Sequence, residues 1–394
     1  MTALYQPEAF DHLTDTAWNE TRARDRIREI VAETDAELRG PKLFWRAHAW
    51  DRWQSTSPQK NLYAGTAGVL WALDQLRRRA YAETKLDLAD LALRNLELFR
   101  AKPDYLKVLT LPQPRDSSLF LGEAGILLVA WRLAAGDALA ADLLEHVRAN
   151  VANDAHEMMW GVPGTLMVAR AMHEWTGDDR WLDAWHVSAE AFLARRDDDG
   201  LWTNHLYGQV YKSLTPPHGL VGNVQALVPL LEPERADALR REAAAILADN
   251  VVREGELANW PPQPRPELPG PDGQIRLQWC AGAPGIVIGA FDYLDEELLL
   301  AGAQLVWRAG PHGDEKGPNI CHGTAGNGYS FLKVFDRTGD ERWLERARRF
   351  AMHALEQVER LPSRHSLFTG GLGVAIYAAD CLDGHAQYPV MNYL

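Results

Sequence analysis

Two cysteine-bearing segments of this 394-residue chain hold the residues whose types and spacing are best suited to chemistry. Segment 279–285 reads Trp-Cys-Ala-Gly-Ala-Pro-Gly and carries Cys280, and segment 321–327 reads Cys-His-Gly-Thr-Ala-Gly-Asn and carries Cys321 and His322. Two thiolates and one imidazole suit zinc, and a set of three ligands leaves the fourth tetrahedral position open for water or substrate. The alternative is that the cysteines only fill space in the core, as free cysteines often do. The adjacent Cys-His pair and the repeated glycine context favour a zinc site.

The glycines of both segments belong to a Gly-x-x-Gly pattern that precedes an apolar run at seven places in the chain. The copies begin at Gly65, Gly122, Gly161, Gly219, Gly282, Gly323 and Gly370. Each copy precedes an apolar run with helical spacing, as in Leu70, Leu73 and Leu76, so a helix is expected to start at every Gly turn. No β-branched strand precedes the glycines, which argues against a dinucleotide site. Seven copies therefore predict a repeated architecture and not seven ligand sites.

Charged amphipathic segments between the Gly turns predict a second, surface-facing set of helices. These segments cover residues 83–100, 138–151, 180–195, 234–251 and 341–358. Segments 176–182 and 338–344 are nearly identical in sequence, and in each a glycine is expected to end one helix and an aspartate to cap the next. The chain is therefore expected to alternate an apolar helix with a polar-faced one.

We predict an all-α fold, an α/α toroid with a double ring of seven inner and seven outer helices, as a single domain over residues 1–394. An open solenoid is the alternative, but it would need capping repeats that the sequence does not show. In a closed ring all Gly turns would lie on one rim, so the metal-binding residues could converge there. Residues 1–60 are expected to form a helical lead-in followed by an aromatic, polar connection over 42–59.

The seven Gly turns, with Trp-Cys-x-Gly-x-Pro-Gly at 279–285 and Cys-His-Gly-x-x-Gly-Asn at 321–327, resemble the lanthionine synthetase C-like family along nearly the whole chain. The resemblance implies the sevenfold double ring, with zinc bound by Cys280, Cys321 and His322. Bacterial cyclases of the family add a peptide cysteine thiol to dehydroalanine or dehydrobutyrine, forming a thioether. The eukaryotic-type members resemble enzymes that add glutathione to such residues in damaged proteins. The implied partners are a dehydrated peptide or protein and a thiol such as glutathione.

The enolate formed by thiol addition needs a proton donor, and histidine is the usual group for this task. His218 directly precedes the Gly turn at 219–222 and matches the histidine that the family uses for proton transfer. Glu157 lies where the bacterial cyclases carry an aspartate and the eukaryotic-type members a glutamate. It is predicted to hold or charge the imidazole, the alternative being a solvated glutamate.

Four further residues are predicted near the substrate because of their places beside the motifs. Arg276, four residues before Cys280, resembles an arginine of some cyclases that could stabilise enolate charge, although a surface arginine is the alternative. Lys316 lies where glutathione-handling relatives carry a lysine. Trp160 and Trp279 adjoin Gly turns and are expected to line the cavity, whereas most of the 15 tryptophans are expected to pack between the rings.

Two alternative functions come from other classes. A non-catalytic zinc- and glutathione-binding regulatory protein of the same fold is favoured by Ala281, because an aromatic residue or histidine often follows the first cysteine in the family. His218 and Glu157 favour the enzyme. A toroid that processes sugars with paired carboxylates would not explain two cysteines and a histidine.

The composition limits the possible binding partners and the cellular location of the protein. With 41 basic and 54 acidic side chains the net charge is −13, which argues against nucleic acid or an anionic membrane as the main partner. The chain start lacks a signal-peptide pattern, and no uncharged apolar stretch reaches the roughly 18 residues of a membrane span. Three cysteines do not make a disulfide framework, which suits the cytoplasm. The proline-rich stretch 259–276 is expected to be a loop, either a flap over the zinc or a plain linker.

Overall fold

The computed structural model describes residues 4–38, 44–45, 51, 55–105, 114–264, 275–362 and 364–394. In chain order its helices are α1 (Glu20–Glu37), α2 (Thr66–Arg78), α3 (Leu88–Ala101), α4 (Glu123–Ala134), α5 (Asp137–Ala149), α6 (Val162–Thr176), α7 (Asp179–Leu193), α8 (Leu220–Leu227), α9 (Pro233–Asn250), α10 (Ala283–Gly289), α11 (Glu296–Ala309), α12 (Thr324–Thr338), α13 (Glu341–Arg360) and α14 (Gly371–Asp383). Every even-numbered helix begins directly after the first glycine of a Gly turn, as the sequence predicts.

The even-numbered helices form an inner ring. Each contacts the next even-numbered helix along the chain, and α14 contacts α2, so the ring is closed. These helices are buried on nearly all sides, whereas the odd-numbered helices bury one face and expose the other. Helix α1, expected as part of a lead-in, packs against α13 and α14 and supplies the seventh outer helix. The closed toroid is therefore confirmed, and the solenoid is not the fold.

Backbone hydrogen bonds join neighbouring Gly turns at one equivalent position, the residue two places before the first glycine. The Tyr63 N–H donates to the Phe120 carbonyl (3.0 Å), and the Phe368 N–H donates to the Tyr63 carbonyl (3.2 Å). The Cys321 N–H donates to the Phe368 carbonyl (3.0 Å), and the Cys280 N–H donates to the Cys321 carbonyl (3.4 Å). The two cysteines are therefore consecutive members of a hydrogen-bonded chain that follows the rim.

Close backbone approach explains why glycine begins these turns. A Cβ atom at Gly161 would lie 1.7 Å from the carbonyl oxygen of Ala155, and one at Gly323 would lie 2.2 Å from that of Gly317. Both distances are far below van der Waals contact. Since glycine lacks a Cβ, the preceding loop can fold tightly onto the start of the inner helix.

Two short antiparallel hairpins add to the helices and were not predicted. Strands β1 (Thr203–Leu206) and β2 (Gln209–Lys212) form the first, and β3 (Val252–Glu254) and β4 (Leu257–Asn259) form the second. Each strand is too short to produce a clear two-residue periodicity in the sequence. The all-α class is confirmed, with two short hairpins added to the helices.

Three sequence expectations remain: those for the connection 42–59, for the proline-rich stretch 259–276 and for membrane spans. Within the connection 42–59, the Asp51 carboxylate accepts a hydrogen bond from Thr369 Oγ1 (2.7 Å), which brings this part of the connection to the last Gly turn. Residues 265–274 of the proline-rich stretch, with their predicted role as flap or linker, lie outside the described residues. Over the described ranges, the structure has no helix with the length and apolar character of a membrane span.

Candidate metal centre

Cys280, Cys321 and His322 meet on the rim of the inner ring, before α10 and α12. Their potential ligand atoms all lie within 4.8 Å of one another, and Sγ of Cys280 is 3.1 Å from Nδ1 of His322. Ligand atoms of a tetrahedral zinc bound by sulfur and nitrogen would be separated by about 3.5–3.8 Å. The cluster is therefore preformed, needs only small adjustments to close around an ion, and contains the donor types that zinc prefers.

Local hydrogen bonds fix both cysteine-bearing segments. The side-chain oxygen of Asn319 accepts from the N–H groups of Cys321 (3.1 Å) and His322 (2.8 Å), which sets the turn before α12. In the other segment the backbones of Gln278 and Ala281 pair with each other through two hydrogen bonds of 3.0 and 3.1 Å. Hydrogen bonds within the protein hold both turns, so the chain itself brings the three potential ligands together.

His218 and Glu157 form an ion pair on the same rim. Nδ1 of His218 lies 2.7 Å from Oε2 of Glu157, whose carboxylate is fully buried and also accepts from the N–H groups of Trp160 (2.7 Å) and Met159 (3.1 Å). The imidazole is 32% exposed. Because Nδ1 faces the carboxylate, Nε2 is the nitrogen that a substrate could reach.

The pKa of His218 lies above its ordinary value. Burial lowers this pKa, but the hydrogen bond and the charge of Glu157 raise it by more, and the charge of Cys280 adds to the increase. Helices α8 and α10 are neighbours in the inner ring, and a Cβ at Gly285 of α10 would lie 3.0 Å from Pro216, two residues before His218. The imidazole therefore belongs to the turn next to Cys280.

Comparison with known proteins shows the family and the fold of this chain. The family model described as lanthionine synthetase C-like protein matches residues 56–393. The chain belongs to this family. Glutathione S-transferase LANCL1 of Danio rerio is 33% identical over 129 residues, which cover 29% of this chain and only 31% of that relative. Nisin cyclase aligns with a TM-score of 0.61 over 92% of this chain and 94% of its own, and at 14% identity this likeness shows the fold alone.

Two hydrogen-bond donors to the cysteine sulfur atoms were not predicted from the sequence. The Tyr63 hydroxyl donates to Sγ of Cys321 (2.9 Å), and Nε2 of Gln278 donates to Sγ of Cys280 (2.8 Å). A signal for Tyr63 was available, since it precedes Gly65 by two places, as each cysteine precedes its own glycine. Such donors favour the ionised form of a sulfur ligand.

The two thiols differ in acidity. The pKa of Cys280 is held well below its ordinary value, chiefly by a hydrogen bond from Cys321, with contributions from His322 and Gln278. Burial raises the pKa of Cys321, and the neighbouring Cys280 raises it further. Of the two cysteines, Cys280 is partly exposed and Cys321 is buried.

The predicted substrate-contacting tryptophans are both packed into the protein. Trp279 is 1% exposed and stacks on Tyr388 with ring centroids 5.0 Å apart, while the Tyr388 hydroxyl donates to the carbonyl of Ile320 (2.8 Å). The C-terminal segment thus contacts the neighbours of both cysteines. Trp160 is also 1% exposed, and its Nε1 donates to the Tyr207 hydroxyl (3.0 Å). Their contact with substrate stays a prediction.

Arg276 and Lys316 lie near the metal-binding segments in the chain. The Arg276 side chain is exposed, and its carbonyl accepts a hydrogen bond from Asn259 (3.2 Å). Lys316 is partly exposed, with Nζ 3.6 Å from a Glu315 carboxylate oxygen. The predicted roles of Arg276 in stabilising the enolate and of Lys316 in binding the substrate remain predictions.

Proposed function

We propose that this protein catalyses the zinc-dependent addition of a thiol to dehydroalanine or dehydrobutyrine residues, forming a thioether. The observation that carries the proposal is that a Cys-Cys-His cluster and a histidine–glutamate pair occupy neighbouring turns of one rim. Membership of the lanthionine synthetase C-like family supports this class of reaction. The names of the two similar proteins, a cyclase and a glutathione S-transferase, suggest a peptide cysteine or glutathione as the thiol.

Cys280, Cys321 and His322 would hold one zinc ion. Zinc bound there would lower the pKa of a thiol, so that the nucleophilic thiolate is available near neutral pH. Tyr63 and Gln278 would orient the two protein sulfurs and balance their negative charge through the observed hydrogen bonds.

His218 is the group we assign to proton transfer. The attacking sulfur forms a bond to the β-carbon, and the electron pair of the alkene moves towards the carbonyl to give an enolate. His218 can accept the proton that the thiol loses and return it from Nε2 to the α-carbon, so that S–H adds across the double bond. Glu157 holds the ring through Nδ1 and stabilises the imidazolium, which the raised pKa of His218 favours.

The decisive experiment is incubation with glutathione and a dehydroalanine-containing peptide, followed by intact-mass measurement. We expect the peptide to gain the mass of one glutathione, and a Cys321→Ala variant to give no gain above the uncatalysed rate. A second peptide that carries its own cysteine tests cyclisation, which leaves the mass unchanged but protects the thiol from alkylation.

Failure with both peptides, despite bound zinc and saturable glutathione binding, would contradict the enzyme and support the regulatory zinc- and glutathione-binding protein. The small Ala281 side chain after Cys280 is the feature that favours this second function.

Three broader expectations belong to the same proposal. The partners are a dehydrated peptide or protein and a thiol, and the net charge of −13 speaks against nucleic acid. The proposed location is the cytoplasm, where dehydrated chains and reduced glutathione would meet. The proposed single domain over residues 1–394 is supported by the packing of α1 on α13 and α14.

A further inference from the structure

The β1–β2 hairpin packs against the turn that carries His218. Strand β1 reaches this turn through Asn204, whose buried side-chain amide donates to the His218 carbonyl (3.0 Å). At the tip of the hairpin, the Tyr207 hydroxyl accepts from Nε1 of Trp160 (3.0 Å), and the Trp160 N–H donates to the Glu157 carboxylate (2.7 Å). Hydrogen bonds therefore join the hairpin to the segments that carry both members of the His218–Glu157 pair.

The backbone at the tip of the hairpin is unusual for the residue it carries. Tyr207 has φ of 56°, in the left-handed region, and Gly208 follows with φ of 75°. Asparagine, aspartate or glycine is the usual choice for the first of these two positions. A bulky side chain in this conformation costs free energy and persists only where the surrounding structure holds it. The tyrosine therefore indicates that this part of the hairpin contributes more than a turn.

Tyr211 lies on the face of the hairpin that packs against the His218 turn. It is the antiparallel partner of Asn204, so the two side chains stand side by side on one face. Asn204 is fully buried and Tyr211 is half-buried, whereas His205 and Val210, which pair on the opposite face, are exposed. The Tyr211 ring therefore extends from the hairpin on the side of the proposed proton donor.

The Tyr211 hydroxyl is available as a hydrogen-bond donor. Among the residues that the structure describes it makes no hydrogen bond, whereas the Tyr207 hydroxyl is bonded to Trp160. Burial raises the pKa of Tyr211, and the negative charge of Glu157 raises it further. The hydroxyl therefore keeps its proton at neutral pH and can donate a hydrogen bond to a substrate oxygen.

The reaction proposed above creates a negative charge that needs such a donor. When the thiolate sulfur bonds to the β-carbon, the electron pair of the alkene moves onto the carbonyl oxygen, which becomes an enolate oxygen. Neutral donors, tyrosine hydroxyls among them, stabilise oxyanions that develop in enzyme sites. The enolate oxygen is only two bonds from the α-carbon, to which His218 returns the proton. A donor that stabilises this oxygen must therefore lie beside the imidazole.

We propose that Tyr211 is a catalytic residue that donates a hydrogen bond to the carbonyl oxygen of the dehydroamino acid and stabilises the enolate. The β1–β2 hairpin would then form the wall of the site that holds the electrophile, while the thiol binds at the cluster of Cys280, Cys321 and His322. Tyr211 keeps its own proton throughout, so that S–H still adds across the double bond. This inference rests on the proposed thiol addition.

Two measurements on the full-length protein with zinc bound test the role of Tyr211. Calorimetry without thiol gives the Kd of the dehydroalanine-containing peptide, and initial rates of mass gain with glutathione give kcat. Tyr211→Phe removes only the hydroxyl. We expect the Kd to rise about two- to ten-fold, as for the loss of one hydrogen bond. We expect kcat to fall by a factor on the order of 10², because the donor is most effective towards the charged enolate oxygen.

Tyr81→Phe is the matched control. The Tyr81 hydroxyl donates to Asp383 beyond the C-terminal end of α2, and the Gly turns lie at the opposite end of the inner ring. This variant should leave both quantities unchanged, and circular dichroism melts verify that both variants fold.

The outcomes separate this inference from the proposed function. Wild-type Kd and kcat in a folded Tyr211→Phe variant would overturn the role of Tyr211, and so would a wild type that does not bind the peptide. A raised Kd with unchanged kcat would contradict enolate stabilisation. A wild type that binds the peptide but does not turn it over would contradict thiol addition alone, and weaker binding by Tyr211→Phe would then still support the contact with the carbonyl oxygen.

Discussion

Two helix pairs, α6–α7 and α12–α13, are nearly identical where they face away from the rim. Gly177 and Gly339 end the inner helices with φ of 67° in both cases, in the left-handed conformation that favours glycine. Asp178 caps α7 and Asp340 caps α13, each by accepting a backbone N–H at 3.0 Å. The near-identical segments 176–182 and 338–344 therefore make the same connection.

The same two helix pairs differ at the rim. The turn before α6 places Met159 and Trp160 directly ahead of its glycine, and the turn before α12 places Cys321 and His322 at the same two positions. The first turn contributes a buried carboxylate, that of Glu157, and the second contributes two potential metal ligands. The connection is therefore part of the shared scaffold, whereas the groups proposed for the chemistry lie within four places before each Gly turn.

Substitution of a proposed metal ligand should have the largest effect on zinc content and on activity. We expect one zinc per wild-type chain, and Cys321→Ala should lose most of the zinc and all thioether formation, because two ligands of a three-ligand set bind weakly. Elemental analysis of protein purified without added metal measures this. Cys381→Ala is the matched control, since Cys381 is equally buried but lies in α14 outside the cluster, and it should keep its zinc. Unchanged zinc in Cys321→Ala would remove the proposed site.

The proton-transfer residue should give the next largest effect. His218→Asn is expected to keep zinc and fold but to slow thioether formation by a factor on the order of 10² to 10⁴, the usual contribution of general acid–base catalysis. The initial rate of mass gain by the dehydroalanine peptide, at saturating glutathione, measures it. Turnover like that of the wild type with zinc retained would exclude His218 from the mechanism.

The sequence predicted the features that repeat. The Gly turns, the inner and outer helices and the cap residues follow local rules, and the seven copies indicated a ring. The candidate metal ligands and His218 could be singled out because they stand just before Gly turns. The juxtapositions of Tyr63 with Cys321 and of Tyr388 with Trp279 depend on ring closure and on the path of the C-terminal segment, which no local pattern encodes.

The glutamate before α6 should have a smaller effect with a defined pH dependence. Glu157→Gln keeps the size of the side chain but removes the charge that raises the pKa of His218. In the wild type the raised pKa keeps the imidazole protonated up to a higher pH. The pKa of His218 should be lower in the variant, so the pH above which the rate falls for lack of protonated His218 should also be lower. Profiles of kcat/KM against pH measure the shift. We expect a smaller rate loss than for His218→Asn, because Glu157 positions the proton donor and does not transfer the proton itself. An unshifted profile would contradict this role.

The smallest effects should come from substitutions in the two near-identical connections, 176–182 and 338–344. The loss of thermal stability should be the same for both. Asp178→Ala and Asp340→Ala each remove one N-cap and should lower the melting temperature by about 1–2 °C in a chain of this size, with zinc content unchanged. Hydrogen bonds from Arg180 and Arg342 hold the pKa of the respective aspartates below the ordinary value. The capping contribution is therefore present above the ordinary aspartate pKa and is lost only as the pH falls through the lowered one. Thermal melts followed by circular dichroism should show the same deficit for both variants at pH 7 and at pH 5. Unequal deficits, or zinc loss in Asp340→Ala alone, would show that the connection and the rim of α12 are coupled, and the separation of scaffold from chemistry would then fail for this helix pair.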